Sequence, residues 1–348
     1  MKSDLVHLPK ALLHDHLDGG VRVETVLELA DAVGYRDLPT SGPTALGTWF
    51  HQNESGSLEA YLGAFDHTVA VMQTADALER VAFEAVEDLA ADGVVYAELR
   101  FGPLLHTAQG LTTAEVIEAT LSGIQRGTAA TGVAVSLIIS GLRDTTTTEA
   151  VVRAAIPFRN EGVVGFDLAG PEAGHPPSDH LPALRLAREN GFSVTIHAGE
   201  GAGPHSVWEA IAIGGARRLG HGARLIESME CDDGSIVDVG PLGRLVRDER
   251  IAMELCITSN LDTAMYQSAK DHPFGALFRA GFNVTLNTDN RLMSNISLSD
   301  EFRLAGDAFG LTLADMGRIT ENALVSGFGP WGVRKRLIEE VVRPAYGI

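Results

Sequence analysis

The sequence predicts an α/β fold: a (β/α)8 TIM-type barrel with a helical segment inserted after the first strand and extra helices at the C-terminus. Short β-rich runs alternate with longer helical patterns along the chain, and eight such runs occur. Several of them are rich in Val and Ile with little polar alternation, which is typical of strands buried on both faces of a parallel sheet. Eight strand–helix repeats in 348 residues indicate one closed barrel domain over 1–348.

The eight predicted strands share this β-rich composition and are separated by helical patterns. They are Leu12–His16, Val94–Phe101, Val133–Ser140, Val163–Leu168, Phe192–His197, Arg217–His221, Ile251–Cys256 and Phe282–Thr288.

Helices are predicted between the strands from the spacing of apolar residues. Thr74–Asp92 repeats Leu, Val and Ala on one helix face, and Thr74 is a suitable N-cap. Thr113–Gly127 and Leu181–Asn190 have similar patterns, and Pro204 suits the first turn of another helix.

Two segments depart from the strand–helix alternation. Tyr35–Gly63 carries prolines and glycines, and we interpret it as an insertion whose short helices cover a pocket. The tail from Ser299 is mostly helical, with a capping-box pattern at Thr312 and Asp315.

Composition excludes several classes of protein. With 46 acidic and 27 basic residues, the formal net charge is −19, which argues against a nucleic-acid partner because phosphate binding needs a cationic face. Two cysteines exclude a disulfide scaffold and a four-thiolate zinc site. The N-terminus lacks a signal-peptide pattern, and no run approaches the ~18 apolar residues of a spanning helix. We therefore expect a cytoplasmic protein without a membrane partner.

Reactive side chains collect at the carboxyl ends of the predicted strands, where barrel enzymes have their active sites. His14 and His16 end the first strand and project the same way because the side-chain period of a strand is two. Alone, this pair is weak evidence for a metal site, and two solvent-exposed turn histidines are the favoured interpretation. Together with His197 and Asp289 it forms a donor set that suits Zn²⁺, although iron or manganese also binds such ligands.

Two further residues are candidates for acid–base chemistry. Glu200 lies in a glycine-rich loop before a helix, where it is either a general acid or an ordinary carboxylate of the first helical turn. The loop lacks the spacings of known phosphate-binding motifs, so phosphate binding is the weaker interpretation. His221 lies between two glycines at a strand end. It is a candidate proton acceptor or electrostatic partner, and the alternative is a histidine with only a structural role.

These residues lie in segments that resemble the adenosine deaminase family of the metal-dependent amidohydrolases. The matching segments follow the family order over most of the chain, and their combination is specific although no single one is. They are LPKALLHDHLDGG (8–20), VVYAELRF (94–101), VVGFDLAGPEAG (163–174), TIHAGE (195–200), RLGHG (218–222), LNTDN (286–290) and MGRITENALVSGF (316–328).

The resemblance implies a (β/α)8 barrel with one zinc ion per chain and assigns roles by motif. The metal ligands would be His14, His16, His197 and Asp289. Glu200 would donate a proton to purine N1, and His221 would help deprotonate the metal-bound water and hold the resulting hydroxide. The substrate contacts would be made by His16, by Asp18 to the ribose 5′-hydroxyl, by the Gly170 backbone N–H to purine N3, and by Asn290.

The sequence departs from the family pattern at two positions. Asn290 replaces an aspartate that must be protonated to donate to purine N7, whereas an asparagine NH₂ donates without that requirement. Ile257 stands where many relatives have proline. Leu58, Tyr61, Leu62 and Phe65 repeat at helical spacing, either as core packing or as a lid over the substrate.

The resemblance implies zinc-dependent hydrolytic deamination of adenosine and 2′-deoxyadenosine in purine salvage. Two alternatives stay open at this point. One is deamination of another 6-aminopurine, such as adenine or aminodeoxyfutalosine. The other is a non-catalytic binding protein on the same barrel, which would not need the complete set of ligands together with Glu200 and His221.

Overall fold

A computed structural model describes residues 5–51 and 61–348 of the chain. Eight parallel strands follow one another around a barrel in chain order, and this confirms the predicted fold class. The barrel strands are β1 Lys10–His16, β2 Val94–Phe101, β3 Ala134–Leu142, β4 Val163–Ala169, β5 Ser193–Ala198, β6 Arg218–His221, β9 Ala252–Leu255 and β10 Val284–Leu286.

The last strand meets the first through the residues that follow it. Asp289 pairs with Asp15 in a parallel bridge. The His16 N–H donates to the Asp289 carbonyl at 2.7 Å, and the Asp289 N–H donates to the His14 carbonyl at 3.0 Å. Asn287 Oδ1 accepts from the Leu13 and His14 N–H groups at 3.0 and 3.1 Å. Closure of the barrel therefore occurs beside the candidate ligands His14, His16 and Asp289.

Helices connect the strands and follow the last one. The α-helices are Val23–Val33, Pro43–Phe50, Phe65–Val71, Ala75–Ala91, Thr113–Thr131, Thr148–Ala155, Leu181–Glu189, Pro204–Ala212, Gly240–Asp248, Ile257–Asp262, Phe274–Arg279, Leu298–Phe309, Leu313–Ser326, Trp331–Arg336 and Arg343–Tyr346, with a π-helical turn at Leu337–Val342. Short 3₁₀ turns occur at Pro103–His106, Ile156–Phe158, Pro177–His180, Ala223–Ser228 and Ala269–Asp271.

The predicted helix starts have the expected caps. The Thr74 side chain accepts from the Ala77 N–H, and Thr312 forms a reciprocal capping box with Asp315. Pro204 occupies the first turn of its helix, where a missing N–H costs nothing. These caps satisfy N–H groups that have no partner within the helix.

A small hairpin outside the barrel is missing from the sequence prediction. Its strands, β7 Glu230–Asp232 and β8 Ser235–Asp238, form a separate antiparallel sheet. These strands are only three and four residues long, mix polar with apolar residues and are mostly exposed, so they lack the apolar signal by which the barrel strands were recognised.

The insertion and the tail agree with the prediction where they are described. The insertion contains the helix Pro43–Phe50, while residues 52–60 lie outside the described part of the chain. The tail is helical from Leu298 onward. None of the helices in the described residues is both long enough and apolar enough to cross a bilayer.

Candidate active site

Four predicted ligands converge at the carboxyl end of the barrel. The donor atoms of His14, His16, His197 and Asp289 all lie within 4.8 Å of one another. Asp289 Oδ1 is 3.2 Å from His14 Nε2 and 3.4 Å from His16 Nε2. His16 Nε2 is 3.3 Å from His197 Nε2. The two-residue period of β1 directs both of its histidines toward this point.

Two buried carboxylates orient the histidine rings. Glu254 Oε2 lies 3.0 Å from His14 Nδ1, and Asp167 Oδ1 lies 3.1 Å from His197 Nδ1. Each carboxylate accepts a hydrogen bond from the Nδ1–H group, so the neutral ring keeps its lone pair at Nε2. The lone pairs of His14 and His197 are therefore directed into the cluster.

Buried arginines keep these carboxylates charged. Glu254 receives hydrogen bonds from Arg100 Nη2 at 2.8 Å and from Arg218 Nε at 2.5 Å. Burial alone would raise the pKa of Glu254, but the two guanidinium groups outweigh it and hold that pKa below its ordinary range. His197 and Arg100 lower the pKa of Asp167 against the same effect of burial.

Sequence reasoning missed Asp167 and Glu254 as site residues. Asp167 lies inside the recognised segment VVGFDLAGPEAG, but the sequence does not show that its side chain contacts His197. Glu254 contacts His14 across 240 positions of the chain. Only the closed barrel shows that Glu254 and His14 are neighbours.

Glu200 and His221 lie on the same side of the cluster. His221 Nε2 is 3.5 Å from Glu200 Oε1 and 4.0 Å from Asp289 Oδ2. Both side chains are buried. His221 and Asp289 have left-handed backbone conformations, with φ of 61° and 57°. Non-glycine residues rarely adopt this conformation, and their clustering here is typical of an active site.

The glycine-rich loop after β5 binds a carboxylate of the protein itself. Glu172 accepts hydrogen bonds from the N–H groups of Gly199 at 2.7 Å, Glu200 at 2.9 Å and Ala202 at 3.0 Å. Because these donors are already used, the loop does not offer them to a phosphate. Glu172 is a third residue that sequence reasoning missed, although its motif was recognised.

A cavity of about 310 Å³ opens onto this cluster. Its volume is in the range of small-molecule sites. Eight of the nine predicted site residues line it: His16, Asp18, Gly170, His197, Glu200, His221, Asp289 and Asn290. The ninth, His14, does not line the cavity and is fully buried.

The substrate-binding candidates occupy the cavity wall with distinct polar groups. Asp18 is buried, its Oδ1 has no hydrogen-bond partner among the described residues, and its Oδ2 lies 3.5 Å from His106 Nε2. Gly170 has φ of 92°, a conformation that favours glycine. A Cβ atom at Gly19 would lie 2.1 Å from Asn290 Oδ1, so glycine is required for Asn290 to occupy its position.

Residues after the insertion form another part of the wall. Tyr61, Leu62 and Phe65 line the cavity, which favours the lid interpretation over core packing alone. Leu58 lies outside the described residues. Ile257, the residue in place of proline, is buried at the start of a short helix. The same helix carries Ser259, whose hydroxyl donates to Asp289 Oδ2 at 2.7 Å.

Comparison with known proteins agrees with this geometry. The adenosine deaminase family model matches residues 9–344. An adenosine deaminase of Mycobacterium leprae is 50% identical, with 99% of this chain and 97% of the relative covered. The crystal structure of an adenine deaminase from Arthrobacter aurescens superposes with a TM-score of 0.86 at 24% identity, covering 96% and 98% of the two chains.

A third comparison is with an Arabidopsis protein, ADAL, whose crystal structure contains IMP. It superposes with a TM-score of 0.82 at 29% identity, covering 97% of this chain and 96% of the other. The barrel and its clustered side chains define a hydrolase with the fold of amidohydrolase-type deaminases. Within that class, the chain belongs to the adenosine deaminase family.

Proposed function

We propose that this protein catalyses the zinc-dependent hydrolysis of adenosine and 2′-deoxyadenosine to inosine or 2′-deoxyinosine and ammonia, in cytoplasmic purine salvage. One observation carries the proposal. Four ligand atoms within 4.8 Å of one another meet Glu200 and His221 at the end of a cavity. Relatives such as the M. leprae adenosine deaminase support the choice of adenosine.

The donor set fits a divalent cation. Within residues 5–51 and 61–348, the buried His14 Nε2 has no hydrogen-bond partner, and it faces Asp289 Oδ1 at 3.2 Å. The Nε2 lone pairs of His14 and His197 point at the same region as a carboxylate, an arrangement that a cation stabilises. Three imidazoles and one carboxylate match the preferences of Zn²⁺, and one ion per chain would be held by His14, His16, His197 and Asp289.

The residues of the cavity divide the remaining chemistry. A bound zinc ion would supply a water molecule that is acidic enough to react near neutral pH. Glu200, when protonated, would donate to purine N1 as water adds at C6, which neutralises the charge that develops on the ring. His221 and the carboxylate of Asp289 would hold the attacking water by hydrogen bonds. General acid–base assistance of this kind is typically worth ~10²–10⁴ in rate.

The substrate contacts follow from unused polar groups. The Oδ1 of Asp18, which has no partner in the described part of the chain, is an acceptor suited to a ribose hydroxyl such as the 5′-OH. The Asn290 amide would donate to purine N7 and the Gly170 N–H to N3. His16 would contact the substrate beside its role as a ligand.

The charge of the cavity favours a nucleoside over a nucleotide. Its described lining includes five carboxylates and neither lysine nor arginine: Asp18, Asp66, Asp144, Glu200 and Asp289. A phosphate monoester would meet no lysine or arginine in this lining. The carboxylates of Asp18, Asp66 and Asp144, which neither bind the proposed zinc ion nor carry the reactive proton, would repel it in a partly closed site.

The contacts of Asp18, Glu200 and His221 also bear on the alternative substrates and on the possibility of a non-catalytic binding protein. Adenine lacks the ribose that Asp18 would bind, so the free base is the weaker candidate, whereas aminodeoxyfutalosine is another 6-aminopurine nucleoside. A binding protein without activity would not need both Glu200 and His221 beside a complete donor set.

The deciding experiment measures the loss of adenosine absorbance with purified, metal-analysed protein. Adenosine, 2′-deoxyadenosine, adenine, aminodeoxyfutalosine and AMP are compared at equal concentration. We expect turnover of the two nucleosides, loss of activity after removal of the metal by a chelator, and recovery with Zn²⁺. Unchanged activity in metal-free protein, or a preference for adenine, would contradict the proposal.

A further inference from the structure

Behind His221 lies a chain of hydrogen bonds that begins at a backbone N–H. The Phe274 N–H donates to His272 Nδ1 at 3.2 Å. A backbone amide is always the donor, so His272 Nδ1 carries a lone pair and no proton. The single proton of this neutral imidazole is therefore at Nε2. Burial lowers the pKa of His272 to about 3, which is consistent with a neutral ring.

The next link fixes the orientation of an asparagine amide. His272 Nε2 lies 3.1 Å from Asn260 Oδ1, where its N–H requires an acceptor. The amide oxygen must therefore face His272, and the NH₂ group must face the other way. That NH₂ lies 3.0 Å from His221 Nδ1. Asn260 and His272 are both almost completely buried, so water does not compete for these bonds.

We propose that His272 and Asn260 are positioning residues that hold neutral His221 with its proton on Nε2, so that it serves the reaction as a hydrogen-bond donor and not as the base. Nδ1 of His221 already accepts from Asn260, and Nε2 carries the proton. Neither nitrogen is free to take a proton from water. The proton then passes to the carboxylate of Asp289, because Glu200 enters the proposed reaction already protonated.

The surroundings of His221 Nε2 agree with a donor. Two acceptors lie near it, Glu200 Oε1 at 3.5 Å and Asp289 Oδ2 at 4.0 Å. An N–H group between carboxylates is favourable, whereas a lone pair there would be repelled. The inference rests on the proposed function for its catalytic meaning, but the proton position is a property of the protein alone.

The test is the position of the proton, read without substrate. Two-bond ¹H–¹⁵N correlation spectra of the uniformly ¹⁵N-labelled, zinc-loaded protein distinguish the two neutral forms of each histidine. We expect His221 and His272 both to be protonated at Nε2 in the wild type. A His221→Gln variant identifies the His221 signals. Finding His221 protonated at Nδ1 would overturn the proposal without any further variant.

The hydrogen bonds from Phe274 through His272 and Asn260 to His221 are called the relay below. The substitution Asn260→Asp reverses the direction of its last hydrogen bond, because a carboxylate accepts from both His272 and His221. We expect the proton of His221 to move to Nδ1 and kcat for adenosine to fall about 10²-fold, as for the loss of one hydrogen-bond donor to a transition state. Asn322→Asp makes the same chemical change in the C-terminal tail, where Asn322 Nδ2 donates to the Val284 carbonyl at 3.2 Å, and should alter neither readout.

The outcomes separate the two proposals. A folded Asn260→Asp protein with the wild-type nitrogen pattern and unchanged kcat would refute the relay. A wild-type protein that does not deaminate adenosine would refute the proposed function, while the proton position of His221 would still be measured.

Discussion

Arg291 Nε contacts both carboxylate oxygens of Asp15, at 3.0 Å and 3.1 Å. Asp15 is fully buried between the two histidines of β1, and Arg291 follows Asp289 by two positions. Thr288 donates to the same carboxylate at 2.8 Å. The pair thus joins the first strand to the end of the last one, where the barrel closes.

We expect Asp15→Ala to lower the free energy of unfolding by about 3 kcal/mol, because a largely buried guanidinium loses its nearer carboxylate and keeps only the 3.7 Å contact of its Nη1 with Asp88. The variant should also release zinc to a chelator faster than the wild type, since His14, His16 and Asp289 share this closure. Chemical denaturation and the rate of zinc release measure the two effects. Asp31→Ala, which breaks the exposed pair with Arg36, is the control and should change neither.

Glu200→Gln should reduce kcat at least ~10²-fold while zinc content stays at one ion per chain. The amide keeps the shape of the side chain but cannot donate the proton to purine N1. Steady-state kinetics and metal analysis are made on the same preparation. Near-normal turnover would remove Glu200 from its proposed role.

Glu172→Gln should also reduce kcat, because three N–H groups that set the position of Glu200 lose their charged acceptor. We expect a fall of up to about 10²-fold, the usual effect of displacing a reactive group by an ångström. The double variant with Glu200→Gln should be no slower than Glu200→Gln alone, since Glu172 acts through that residue. Additive losses would indicate a separate role.

Glu301 makes stability depend on pH. It is fully buried, its Oε1 accepts from the Thr258 N–H at 2.9 Å, and burial raises its pKa to about 7. The ordinary pKa of 4.5 applies to Glu301 in the unfolded chain. Between pH 4.5 and pH 7 the folded protein therefore binds a proton that the unfolded chain has lost. Its contribution to stability is complete below pH 4.5 and is lost as pH rises through 7.

Glu301→Gln should remove this loss because the amide does not ionise. The gain in unfolding free energy over the wild type should grow from pH 5 to pH 8, by at most about 3 kcal/mol. Denaturant titrations at both pH values measure the gain. The exposed Glu118 provides the control, since Glu118→Gln should give the same small difference at either pH.

Phe65→Ala should raise KM for adenosine about tenfold with little change in thermal stability, because the half-buried ring lines the cavity. Phe83→Ala, on a helix that does not line the cavity, is the control. A large loss of stability with an unchanged KM would restore the interpretation of Phe65 as core packing.

The barrel was predictable from the sequence because its strands are buried on both faces and rich in aliphatic residues. Val94–Phe101 was predicted to the residue, and Val133–Ser140 differs from β3 by one or two residues at each end. The short, exposed hairpin strands Glu230–Asp232 and Ser235–Asp238 carried no such signal.

The candidate site was predictable to the extent that its residues lie at strand ends. Asp289 and His14 were recognised because each follows or ends a strand within a specific motif. The partners Glu254 and Asp167 act across the barrel, and the order of the relay through Asn260 depends on one backbone N–H. Periodicity along a chain carries no information about such contacts.

The left-handed backbone at His221 and Asp289 limits how this scaffold can be repurposed. Asparagine and glycine enter such positions readily, whereas Val, Ile and Thr would cost roughly 1–3 kcal/mol each before any chemistry is considered. In a directed-evolution library randomised at both codons, the folded clones should therefore carry only a few types of amino acid at these two positions. New activities on this barrel are more accessible through the rim residues than through these two sites.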